Sequence, residues 1–115
     1  MESKNSHVIS FKYAFAGVVS ALKQEPNLKF HFLAGVVVIL ISYFLKISRN
    51  EWIIIIFLIG FVISVELTNT AIEAVVDHVI QTNHPGAKLA KDISAGAVLI
   101  AAVTAAFIGA IIWIT

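Results

Sequence analysis

The stretch VELTNTAIEAVVD, Val65 to Asp77, decides how this chain is read. It continues without a break from the apolar run WIIIIFLIGFVIS, Trp52 to Ser64, and both read as one helix. At roughly 100° per residue, Asn69, Glu73 and Asp77 fall at about −60°, −20° and +20° from Glu66. The four polar groups therefore share one narrow stripe, about 16 Å long at the α-helical rise. Around them Leu67, Ala71, Ile72, Ala74, Val75 and Val76 are apolar or small, fit to face lipid or other helices. Ionisable groups on a membrane helix are costly and mark a functional site by default.

The rest of the composition agrees with a membrane reading. At 115 residues the chain is one domain, 59% of it hydrophobic and only 13% charged, with a mean hydropathy of +0.94. A soluble protein of this size needs a polar surface that such a composition cannot supply. No cysteine is present, which excludes disulfides, thiolate catalysis and Cys-ligated metal. A net charge of +1 offers no bulk basic field for nucleic acid.

Outward from the central stripe, the chain divides into one surface segment and three spans. Met1 to Ser6 is short and polar, without the pattern of a secretory signal. Val8, Phe11, Phe15, Val18 or Val19, and Leu22 recur at steps of three and four, with Lys12, Ser20 and Lys23 off that face. This predicts an amphipathic helix over about 7–24, lying on the membrane surface or packing on the rest of the protein. Lys23 to Asn27, with Pro26, breaks it. Phe30 to Leu45 is a first span, short but flanked by Lys29 and Lys46. The second runs over about 52–79 from an interfacial Trp52. Val79 to Ala90, with Pro85 and Gly86, reads as a loop, and a third span covers about 92–114. In it Ala97, Ala101, Ala105 and Gly109, beside Ala102, Ala106 and Ala110, permit close helix approach or reflect alanine's helix propensity alone. Trp113 is read as an interface anchor. The expected fold is all-α and membrane-integral over residues 1–115.

Charge placement sets the orientation. Lys4, Lys12, Lys23, Lys29, Lys88 and Lys91 lie on one side, and Lys46 and Arg49 on the other, six against two. The positive-inside rule then puts the N-terminus and the second loop in the cytoplasm, with Glu25, Asp77, His84, Lys91 and Asp92 at that face.

Carboxylates with lysine at a membrane boundary suit a hard cation such as Mg²⁺ together with phosphate. Zinc-type His spacing is missing among His7, His31, His78 and His84, as are GxxxxGK[ST], GxGxxG and GxSxG. Each polar residue has two readings. Glu66 is a general base that burial poises near working pH, or a protonated interhelix contact. Asn69 orients a substrate hydroxyl or bonds a neighbouring helix. Lys91 holds phosphate or marks the boundary, and Asp92 has a favourable place near a helix N-terminus in any case. His31 and His78 read as interfacial. A proton or ion pathway, or a structural membrane subunit, stands as the alternative class; the third span has no ionisable residue beyond Asp92 to complete a crossing.

At these residues the sequence resembles the prokaryotic diacylglycerol kinase family of small integral-membrane lipid kinases. The family signature E-x-x-N-[ST]-x-x-E-x-x-x-D stands complete as Glu66, Asn69, Thr70, Glu73 and Asp77. HPGAKLAKDISAGAVLI, His84 to Ile100, resembles the family's loop and third span, and Glu25 matches its N-terminal glutamate. The resemblance runs from about Phe11 to Ile112. It implies a surface helix and three spans assembled as a homotrimer with shared active sites, in a bacterial plasma membrane. It also implies transfer of the γ-phosphate of Mg·ATP to a membrane lipid hydroxyl, giving phosphatidic acid from diacylglycerol or undecaprenyl phosphate from undecaprenol. By position, Glu66 would be the base and Glu25 and Glu73 the Mg²⁺ ligands. Tyr13, Thr82, Asn83, His84, Lys91 and Asp92 would contact ATP, with Asn69 and Asp77 supporting the site. Ser6-His7-Val8-Ile9 departs from enterobacterial members, which often carry a basic residue there. Lys29 to His31 and the His-Pro-x-Ala-Lys-x-Ala-Lys-Asp run resemble the branch that phosphorylates undecaprenol.

Overall fold

Local sequence signals set where each helix begins and ends. In the computed structural model, which describes residues 6–115, these helices are α1 (Ser6–Gln24), α2 (Pro26–Leu45), α3 (Arg49–Val79) and α4 (Pro85–Ile114). No strand occurs among the described residues. Glu25 is extended and forms the N-cap of α2, with Pro26 in the first helical position. The break expected over Lys23 to Asn27 thus narrows to one residue. Proline is favoured at that first position because its missing N–H has no helical partner to lose.

The turn between α2 and α3 is tightly specified. Lys46 takes a left-handed conformation (φ 55°, ψ 50°), and its N–H bonds back to the carbonyls of Ser42 and Tyr43. Ser48 and Glu51 then form a reciprocal capping box. The Ser48 N–H donates to the Glu51 carboxylate at 2.8 Å, and the Glu51 N–H donates to Ser48 Oγ at 3.2 Å. Two of the orphan donors at the start of α3 are satisfied in this way.

The second connection is shorter than its sequence suggests. Only Ile80 to His84 lie outside helices, so the loop expected over Val79 to Ala90 is corrected: its second half is helix. Pro85 and Gly86, read as loop-formers, start α4 instead. His84 is the N-cap, and its imidazole Nδ1 accepts from the Ala87 N–H at 3.2 Å. A Cβ at Gly86 would stand 2.9 Å from the His84 ring. Glycine leaves room for the capping ring, which a larger residue would push aside.

α3 packs most extensively on α4, then on α2, and α1 packs more lightly on α2 and α3. The small core holds Leu28, Ile55, Leu58, Val62, Ala101 and Ile112. At Gly35 a Cβ would lie 3.2 Å from Ile59, so α2 and α3 approach closely there. Trp113 donates its indole N–H to the fully buried Ser42 at 3.0 Å, tying the end of α4 to α2. Most large apolar side chains face outward, among them Leu33, Phe44, Ile56, Phe57, Leu99 and Phe107. Three helices, α2, α3 and α4, are long and apolar enough to cross a membrane, which accounts for that outward face. On α1, residues 10–17 are exposed, Phe11 and Phe15 included, and burial begins only at Val18.

Candidate active site

α3 is 31 residues long, about 46 Å at the α-helical rise, against a hydrocarbon core of about 30 Å. Counting about 20 residues from Trp52 reaches Ile72. Glu66 and Asn69 then lie within the apolar layer, near its edge, while Glu73 and Asp77 lie beyond it. Burial follows the same order. Glu66 is 3% exposed and Asn69 8%, Glu73 is half-buried and Asp77 is exposed.

At the deep end the polar atoms are under-satisfied. His31 Nδ1 of α2 lies 2.6 Å from Glu66 Oε2. The contact is short, yet neither atom has a well-directed hydrogen bond, and Asn69 Oδ1 is buried without any partner. Asn69 Nδ2 donates to Glu73 Oε2 at 3.4 Å, joining two members of the stripe. Buried polar groups are nearly always paired, so a poorly aligned His31–Glu66 contact beside a partnerless Asn69 Oδ1 leaves capacity here for a further polar group.

At the water end two ion pairs form. Lys91 Nζ donates to Asp77 Oδ1 at 2.8 Å, linking α4 to α3, and Lys88 Nζ donates to Asp92 Oδ2 at 2.7 Å within α4. Lys91 precedes the apolar stretch of α4 and has its pKa raised, first by the hydrogen bond to Asp77 and then by that carboxylate's charge.

Other expected site residues lie apart. Tyr13 is exposed on α1, and Thr82, Asn83 and His84 are exposed in the connection before α4. Glu25 is half-buried at the N-cap of α2, but its side chain makes no capping bond. Among the described residues, no hydrogen bond or ion pair links Tyr13, Glu25 or residues 82–84 to the stripe. His78, read as interfacial, bonds locally to the Ala74 carbonyl at 2.8 Å.

His31 was read as interfacial and is the residue the sequence reasoning missed. A signal was present. α2 and α3 are consecutive spans, so the start of one faces the end of the next, and His31 and Glu66 lie at similar distances from the turn at Lys46. Beside them is an apolar cleft of about 410 Å³ between α2, α3 and α4, with Gly35, Ile59, Val62, Ala102 and Ala106 on its walls and His31 at its edge. The small residues of α4 thus line a cleft over much of their length, while Ala101 packs closely.

The donor set fits Mg²⁺ better than a closed protein cage. No group of three or more His, Cys, Asp or Glu side chains converges among the described residues. Mg²⁺ takes one or two carboxylates and fills its remaining positions with phosphate oxygens and water. Glu73, with a single long bond from Asn69, retains that capacity.

Fold and site together define a small multi-span membrane protein with a polar site set into its helices. Residues 12–113 match the prokaryotic diacylglycerol kinase family. The chain is 42% identical to an undecaprenol kinase of Bacillus subtilis over 105 residues, covering 91% of this chain and 85% of that one. It is 40% identical to a diacylglycerol kinase of Synechocystis over 103 residues, 89% of this chain and 59% of that one. A diacylglycerol kinase of Pseudomonas aeruginosa is 37% identical over 77% of this chain and 72% of its own length. The chain belongs to the prokaryotic diacylglycerol kinase family. It is a lipid kinase of that type, with ATP as co-substrate.

Proposed function

We propose that the protein transfers the γ-phosphate of Mg·ATP to the hydroxyl of a membrane lipid alcohol, with Glu66 as general base. The observation that carries this reading is the gradient along α3: a buried carboxylate and amide in the apolar layer, continuous with Glu73 and Asp77 at the water boundary. A lipid hydroxyl and a nucleotide come from those two phases and must meet between them. Glu66 takes the hydroxyl proton. The lipid oxygen forms its bond to the γ-phosphorus, the bond to the β,γ-bridging oxygen breaks, and ADP leaves with that electron pair. Phosphoryl transfer asks mainly for positioning and charge neutralisation. Mg²⁺ neutralises phosphate charge when bound, and Glu25 and Glu73 are its proposed protein ligands.

Asn69 positions Glu73 through its amide and turns its free carbonyl oxygen toward the reacting groups. Asp77, Lys91 and Asp92, with Tyr13, Thr82, Asn83 and His84, form the nucleotide side. Among the described residues Tyr13, Glu25 and residues 82–84 make no hydrogen bond or ion pair with the stripe, which supports a homotrimer whose sites are completed by a neighbouring protomer. The exposed apolar residues of α1 support a helix lying on the cytoplasmic membrane surface, with the N-terminus and nucleotide site on that side. Diacylglycerol and undecaprenol are the acceptors to compare; the identity to an undecaprenol kinase across 85% of that protein supports testing undecaprenol first.

The test is transfer of labelled phosphate from ATP in detergent micelles, with each lipid offered separately, with and without Mg²⁺. Mg²⁺-dependent labelling of one lipid or both is the expected result. A stable, folded protein that labels neither would overturn the kinase mechanism and return the stripe to an ion pathway or an assembly contact.

A further inference from the structure

Resting on that reading, we propose that His31 is a positioning residue for the base: its Nδ1–H holds one carboxylate oxygen of Glu66, so that the other faces the lipid hydroxyl. The contact crosses from α2 to α3 at 2.6 Å, with the carboxylate side chain 4% exposed and the imidazole 19%. A buried carboxylate oxygen in an apolar layer is costly without a hydrogen-bond donor or a cation beside it. Neighbouring elements offer little else. On α3, Thr70 donates to the Glu66 backbone carbonyl and Asn69 gives its amide to Glu73. α4 brings the uncharged Ser94 to its buried face and commits Lys91 to Asp77. Lys12, Lys23 and Glu25, on α1 and at its end, form no ion pair with Glu66, and Lys29 of α2 is exposed.

The misdirected geometry fits this role. Catalytic hydrogen bonds are often poorly aligned before substrate arrives and tighten in the reacting complex. A carboxylate has two oxygens and a single torsion that sets where they point. Fixing one oxygen through His31 removes that freedom before the proton moves. His31 also borders the apolar cleft, so the same ring connects the base to the space beside it.

The test separates the hydrogen bond from the volume of the ring. His31→Asn keeps a donor close to the place of Nδ1 but loses bulk. His31→Phe keeps bulk and loses the donor. Both are assayed against wild type and Glu66→Gln for lipid phosphorylation, with oligomer elution as the check on folding. His31→Phe is expected to lower kcat by about tenfold or more, as loss of an orienting partner does, with KM for Mg·ATP unchanged. His31→Asn is expected to recover most of that kcat. Full activity in His31→Phe, or equal loss in both variants, would overturn the positioning role while leaving the kinase standing. Failure of the kinase reading itself has a different sign: no lipid labelled by wild type, or activity retained in Glu66→Gln.

Discussion

The two ends of the α3 stripe are built on opposite terms. At the water end the contacts are complete ion pairs: Asp77 meets Lys91, and on α4 Asp92 meets Lys88, each within a normal ion-pair distance. At the deep end, where an unsatisfied group costs far more, Glu66 Oε2 and His31 Nδ1 meet only each other, 2.6 Å apart and poorly aligned, and Asn69 Oδ1 has no partner. Stability alone would arrange the reverse, with buried groups satisfied and exposed ones left to water. Under-satisfaction where it is most costly fits the part of the helix proposed to work on the lipid, and ion pairing fits the part proposed to face nucleotide at the boundary.

Substitutions along the stripe test that contrast. The largest effect belongs to Glu66. Removing the base in Glu66→Gln should lower kcat by about 10³-fold, within the usual range for general-base catalysis, while thermal unfolding in detergent stays close to wild type. Glu73→Gln comes next. Losing a ligand charge should raise the Mg²⁺ concentration for half-maximal activity by about 10²-fold, read from a metal titration at saturating lipid.

Asn69→Leu should be smaller in activity and close to neutral in stability. Loss of the Asn69–Glu73 bond costs about tenfold in rate. Because Asn69 Oδ1 has no partner to lose and half-buried Glu73 can turn to water, replacing the amide with an apolar group of similar size should leave stability close to unchanged, which a melting curve measures. Least of all is the Asp77–Lys91 pair. As an exposed contact it should leave the melting temperature unaltered on Lys91→Ala at physiological salt, with any difference confined to low ionic strength. Because the folded state raises the Lys91 pKa, whatever the pair contributes is fully present below the ordinary lysine value and fades only as pH climbs through the raised one.

Much of this architecture was legible in the sequence. The stripe of Glu66, Asn69, Glu73 and Asp77 follows from helical geometry alone, and α3 carries it as read. The three apolar helices follow from composition. Helix starts were harder. Pro26 and Pro85 were each read as breaks, because proline ends a preceding helix as readily as it opens the next; at position 85 the His84 cap and Gly86 decide the matter. His31 was missed for a different reason. Periodicity reports which residues share a face of one helix, whereas the His31–Glu66 contact depends on the register between two. The cleft beside it depends on three.

In the proposed mechanism the deep and shallow ends of one stripe divide the labour between lipid and nucleotide. Its most direct measurement is the dissociation constant of Mg·ATP for Glu66→Gln without lipid, set beside wild type. The division predicts a value within about twofold of wild type in a protein that no longer phosphorylates lipid. Nucleotide binding lost together with transfer would contradict it and make Glu66 part of the nucleotide site or of the fold.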